Sequence, residues 1–167
     1  MDSDDEACKK FKTCLNDCFQ MKDLGPLKYF LGIEVARNSQ GLFLSQRKYA
    51  LEIIDECGLL ESKPTNFPME TNHKLALSDS KPLRDAAQYR RLIGKLIYLT
   101  ITHPKLAYAV HILSQFMQEP KAAHMDAAKQ VLRYLKGCSG RRLLLRSDCD
   151  LQLYAYCDSD LGACPLT

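Results

Sequence analysis

No run of about eighteen apolar residues occurs in the 167-residue sequence, which excludes a membrane-spanning helix of ordinary length. The N-terminus, MDSDDE, opens with acids and lacks the basic-then-apolar pattern of a secretory leader. An intracellular protein is therefore expected, with cytoplasm and nucleus not distinguished. Eight cysteines stand at 8, 14, 18, 57, 138, 149, 157 and 164, but none forms a C-x-x-C pair. No two histidines have zinc-finger spacing either, so no structural metal site is expected. Without a secretory pattern, free thiols are a better reading than disulfides.

Acids are scarce over one long stretch. Residues 84–146 hold 12 Lys and Arg against 3 Asp and Glu, whereas residues 1–83 hold 11 against 13. Residues 147–167 hold no base and 4 acids, so the net charge of +3 conceals a strongly basic centre. A local excess of that size suits a phosphate backbone, the alternative being a plainly solvated helix surface.

What is present around that centre is helical. Three stripes recur at three-and-four spacing: Tyr89, Leu92, Ile93, Leu96 and Ile97; then Leu106, Val110, Leu113, Phe116 and Met117; then Met125, Ala128, Val131, Leu132 and Leu135. Asp85 is placed to cap the first helix, with Gln88 as its capping-box partner. Thr102-His103-Pro104 and Glu119-Pro120 break the run, and Gly137 ends it. Arg90, Arg91, Lys95, Lys105, Lys129, Arg133 and Lys136 lie between the stripes.

Upstream, Ala7, Phe11, Cys14, Leu15, Cys18 and Phe19 make a further stripe, ended by Gly25-Pro26. Leu27–Ala36 reads as one strand, Asn38–Gly41 as a turn and Leu42–Ser45 as its return strand. A helix is predicted over Gln46–Cys57 with Ser45 as its N-cap. Residues 62–84 carry three prolines without periodicity and read as an extended connector. Arg141–Arg146 and Leu151–Cys157 read as strands of a terminal β-hairpin. A domain beginning there is incomplete by residue 167, so the C-terminus is expected to be cut.

The predicted fold is α+β: a hairpin-and-helix unit (6–61), the connector (62–84), a three-helix unit (85–140) and an incomplete terminal β-hairpin (141–167). His73, His103, His111 and His124 have no Cys or Asp constellation around them and are read as non-catalytic.

Seven strings in order resemble one family: MKDLGPLKYFLGIEV (21–35), GLFLSQRKYA (41–50), KPTNFPM (63–69), YRRLIGKLIYLTITHPKLAYAV (89–110), LSQFMQEP (113–120), VLRYLKG (131–137) and YCDSD (156–160). They are similar to the reverse transcriptase region of copia-type retrotransposon Pol polyproteins, plant copies above all. The resemblance implies that 6–61 is the end of the polymerase palm, 85–140 the thumb and connection, and 141–167 the start of a ribonuclease H domain.

The resemblance also locates the chemistry. In the family a Tyr-x-Asp-Asp hairpin binds the two magnesium ions of polymerisation, a task that needs closely placed carboxylates. That motif would lie upstream of residue 6. Asp4-Asp5 is the only adjacent pair of aspartates and has no aromatic residue or strand before it. No cofactor is thus expected in this chain itself, although the parent enzyme uses magnesium.

Asp158 resembles the first ribonuclease H aspartate, with Asp160 beside it. Leu161 stands where the family usually has Trp, and the sequence has no Trp. Candidate nucleic-acid contacts are Gly32, where the palm would hold the primer end, and Arg90, Arg91, Lys95 and Arg133 along the thumb. For Gly32 a bulge in an ordinary strand is the competing explanation.

Expected partners are an RNA/DNA template–primer duplex and the missing upstream palm, with no membrane and no small-molecule substrate. A non-enzymatic interaction protein is the alternative, with helices 85–137 binding a partner or self-associating.

Overall fold

The computed structural model describes residues 4–70, 74–150, 152, 155 and 156. Among these the elements run α1 (Asp5–Cys18), β1 (Tyr29–Phe30), β2 (Ile33–Asn38), β3 (Gly41–Ser45), α2 (Arg47–Glu56), α3 (Ala86–Leu99), a 3₁₀ turn (Pro104–Leu106), α4 (Ala107–Ser114), α5 (Ala122–Cys138) and β4 (Leu143–Arg146). The α+β class is as predicted. No helix among the described residues is long and apolar enough to cross a membrane.

The three central stripes build the core. Tyr89, Leu92, Ile93 and Leu96 on α3, Leu106, Val110 and Leu113 around α4, and Met125, Ala128, Val131, Leu132 and Leu135 on α5 are all buried. Ile97 departs from its stripe and is exposed, because the helix turns its neighbour Leu99 inward instead. Ala50, Ile53 and Ile54 of α2 join the same cluster, so four helices share one core. Each fully buried Leu or Ile contributes about 1.5–3 kcal/mol over an exposed one. Since these stripes are spent on one another, they offer no apolar face to a partner, and the self-association reading is not favoured.

Asp85 caps α3 as predicted: its Oδ1 accepts from Ala87 N at 2.9 Å and Gln88 N at 3.1 Å. The cap of α2 is Gln46, one residue later than expected, while Ser45 Oγ accepts from Arg47 N at 3.3 Å. The connector runs beside α5. Leu83 N donates to Pro120 O at 2.9 Å, and Lys136 Nζ donates to Ser62 O at 2.7 Å and to Leu60 O.

The strands bring one correction and one addition. The predicted single strand Leu27–Ala36 is broken at Leu31-Gly32, with Phe30 paired to Ile33 across a two-residue turn. Both turn residues have positive φ, 49° and 83°, the geometry of the turn that matches strand twist in tight hairpins. Gly32 is therefore a turn glycine, not a strand bulge.

The addition concerns Leu143–Arg146, whose expected hairpin partner 151–157 lies mostly outside the described residues. Leu143–Arg146 pairs antiparallel with β3, Gly41 against Arg146 through Leu44 against Leu143, giving a four-stranded sheet of order β1-β2-β3-β4. The physical reason is the open apolar edge of β3, Leu42-Phe43-Leu44, which the equally apolar Leu143-Leu144-Leu145 completes. Gly41 makes the approach possible. A Cβ there would lie 2.1 Å from the Leu145 carbonyl oxygen, and its φ of 142° disfavours other residues. Ser147 fastens the end, its N donating to Gln40 O at 3.0 Å and its Oγ to Ser39 O at 3.1 Å.

The sheet is joined to the helices at two places. Tyr98 of α3 donates its hydroxyl hydrogen to Leu31 O at the β1–β2 turn and meets the Tyr49 ring edge-on at 5.5 Å. Thr102, just after α3, donates to Gln46 Oε1 at 2.8 Å at the β3–α2 junction. Helix α1, by contrast, buries nothing: Phe11, and Phe19 just after the helix, are each 64% exposed.

Candidate nucleic-acid interface

The predicted contact residues fall on three elements. Gly32 sits at the apex of the β1–β2 turn, where a Cβ would meet only the Tyr98 ring, at 3.9 Å. Arg90, Arg91 and Lys95 lie on α3, whose register is fixed by the Asp85 cap and the buried stripe. Arg133 lies on α5.

These four cations differ in what they already hold. Arg90 Nη1 donates to Met117 O at 3.1 Å, tying α3 to the end of α4. Lys95 pairs with Glu56 at the end of α2. Arg91 is exposed and has no ion pair or hydrogen bond through its side chain among the described residues. One turn separates it from Lys95, so the two project from neighbouring positions of the helix. Arg133 is half-buried on a stretch of α5 overlaid by the connector, where Thr65 N donates to Arg133 O at 3.4 Å and Pro64 lies 3.4 Å from a Cβ built on Gly137. The structure thus groups Arg90, Arg91 and Lys95 and leaves Arg133 on a separate element.

Asp4 and Asp5 serve the start of α1. Asp4 Oδ1 accepts from Ala7 N at 2.9 Å, and both acids suit the positive end of that helix. Among the described residues no three His, Cys, Asp or Glu side chains converge as metal ligands would. Asp158 and Asp160 lie outside the described residues, as does His73.

Sequence reading missed two buried polar clusters. His124 is 2% exposed; its Nδ1 accepts from Lys121 N at 3.0 Å, its Nε2 lies 3.2 Å from Leu75 O, and its ring stacks on Phe116 at 4.0 Å. Burial pushes its proton affinity down. His103, also buried, lies 2.9 Å from Thr102 Oγ1 and is pushed down likewise, again first by burial. The one available signal was each histidine's position beside a helix break. Tyr89, raised by burial, donates its hydroxyl to Leu113 O at 2.8 Å.

The comparisons with known proteins bear on the whole chain. A family profile described as "Reverse transcriptase (RNA-dependent DNA polymerase)" matches residues 1–71. An uncharacterized mitochondrial protein of Arabidopsis thaliana is 42% identical over 92% of this chain and 63% of its own length. The retrovirus-related Pol polyprotein from transposon RE2 of the same plant is 44% identical over 87% of the chain. The chain belongs to the reverse transcriptase region of copia-type retrotransposon Pol polyproteins. A third relative, the Pol polyprotein from transposon TNT 1-94 of Nicotiana tabacum, is 33% identical over 92% of this reverse transcriptase segment. The segment spans only 10% and 12% of those two polyproteins. No solved structure matches it.

Proposed function

We propose that this reverse transcriptase segment holds a template–primer duplex by its phosphates and performs no polymerisation alone. The observation that carries the reading is the unpartnered Arg91, set between Arg90 and Lys95 on the outer side of α3 within the basic stretch 84–146. Phosphate contacts need charge and reach but no base-reading pattern, and a row of this kind supplies both. Arg90 and Lys95 would exchange their present partners for phosphate oxygens. Gly32 would lie beside them at the turn held by Tyr98, and Arg133 would add a contact from α5.

RNA-directed DNA polymerisation is then the activity of the polyprotein from which the segment derives. Its carboxylates and magnesium belong to an upstream palm carrying the Tyr-x-Asp-Asp motif, which this sequence lacks. The exposed Phe11 of α1 and Phe19 just after it, together with the exposed Tyr29 and Phe30 of β1, support a contact with that palm. Large apolar side chains so exposed are what such a contact would cover.

Fluorescence polarisation with a labelled RNA–DNA hybrid tests the reading. Four phosphate contacts predict about a 150-fold loss of affinity between 50 and 200 mM salt, from a slope of about −0.9 per contact. Binding that ignores salt, or none at 50 mM, overturns it.

A further inference from the structure

The end of α3, the 3₁₀ turn, the last turn of α5 and the approach to β4 converge on a cavity of about 140 Å³. Thr102, His103, Lys105, Cys138, Arg141 and Arg142 are among its walls, and no acid is. Among the described residues Lys105, Arg141 and Arg142 make no ion pair. Three unneutralised cations around one small recess already favour an anion.

A second feature comes from inside. His103 is 5% exposed, and its Nε2 has no hydrogen-bond partner. Thr102 has a single hydroxyl proton and gives it to Gln46 Oε1. His103 Nδ1 lies 2.9 Å from the same hydroxyl, so in either tautomer Nε2 is the ring atom left for a further partner. A buried ring nitrogen without a partner is unusual enough to call for one.

We propose that this cavity binds a phosphate-class oxyanion, held by Lys105, Arg141 and Arg142 and hydrogen-bonded to His103 Nε2. A hydrogen phosphate fits a neutral ring with its lone pair at Nε2, the P–OH donating to that nitrogen. A fully ionised phosphate group fits the protonated ring, with Nε2–H donating instead. Burial opposes the second state most, the Cys138 and Leu99 backbone carbonyls favour it, and Arg141 opposes it more weakly; a bound anion offsets the burial and Arg141. The carbonyl end of α5 works against an anion with roughly half a charge, which three cations outweigh. At this volume the recess takes one tetrahedral ion or a phosphate end and excludes a whole nucleoside, since ligand pockets for drug-sized molecules begin at about 300 Å³.

Calorimetric titration of the full 167-residue chain with inorganic phosphate, against chloride of matched ionic strength, tests the site. One saturable site is expected, weakened at least tenfold by Arg141→Ala/Arg142→Ala, whose exposed positions spare the core. His103→Phe should weaken it too, with circular dichroism checking the fold. No saturable binding, or equal binding by the double arginine variant, overturns the proposal.

A second arm distinguishes a free phosphate from a nucleic-acid phosphate. If inorganic phosphate displaces the RNA–DNA hybrid more than matched chloride does, the pocket takes a backbone or terminal phosphate of the duplex; if it does not, the ligand is a free one. Phosphate binding without hybrid binding keeps this pocket and sinks the duplex-holding role. Hybrid binding without phosphate saturation does the reverse.

Discussion

Lowering the pH through the histidine range should destabilise this fold, and His124 sets the effect. Its Nδ1 accepts the Lys121 N–H at the start of α5, so the ring must be neutral at that nitrogen, with the proton on Nε2 facing Leu75 O. Protonation removes the acceptor, adds a cation beside Lys121, and places it against Phe116 and Tyr89 in a nearly closed site. The folded-state proton affinity is below the ordinary value of 6.5, as is that of His103. The unfolded chain therefore binds more protons below pH 6.5. Stability is fully present above that pH, falls as pH drops toward the folded values, and levels off beneath them. Each histidine contributes a slope of up to about 1.4 kcal/mol per pH unit, so the pair gives at most about 2.7.

Urea unfolding at pH 7.5, 6.5, 5.5 and 5.0 in a phosphate-free buffer would measure this, above the range where carboxylates dominate. His124→Gln should lose about 1–2 kcal/mol at pH 7.5, because the Lys121 amide loses its acceptor. Its slope between pH 6.5 and 5.0 should drop toward that of His103 alone. A wild-type stability that stays flat or rises over that interval would refute the reasoning, as would an unchanged slope in the variant.

Gly41→Ala should release β4, since the added carbon meets the Leu145 carbonyl oxygen. Hydrogen exchange at Leu143–Arg146 should rise while α3 and α5 stay protected. Tyr89→Phe leaves the buried Leu113 carbonyl unpaired and should cost about 1–3 kcal/mol in chemical denaturation. Arg91→Glu should weaken hybrid binding several-fold while changing stability by less than about 0.5 kcal/mol. Lys95→Glu should do both, adding up to about 1 kcal/mol of stability loss from the Glu56 pair.

Local signals were legible where local physics decides. The α3 cap was readable from Asp85, and the three stripes from spacing, because a helix face is set by residues within a few turns. The Leu31-Gly32 turn was hidden inside a run of aromatic and β-branched residues that favours strand throughout. The partner of Leu143–Arg146 was not legible at all, since β pairing is settled by distant edges rather than neighbours. The basic stretch was plain from the charge count. Which cations remain free was not, because Arg90 is engaged by a carbonyl at Met117 and Lys95 by an acid at Glu56.

The β3–β4 pairing also sets a schedule during translation. Gly41 leaves the ribosome 105 residues before its partner Arg146, which at roughly 5–20 residues per second is a wait of about 5–20 s. Throughout that interval Leu42-Phe43-Leu44 is a bare, greasy ribbon edge on a nascent chain. Any other strand passing within reach, including that of a neighbouring nascent copy, competes with Leu143–Arg146 for it. The last of the described strands is thus the one that covers the exposed edge of the β2–β3 hairpin.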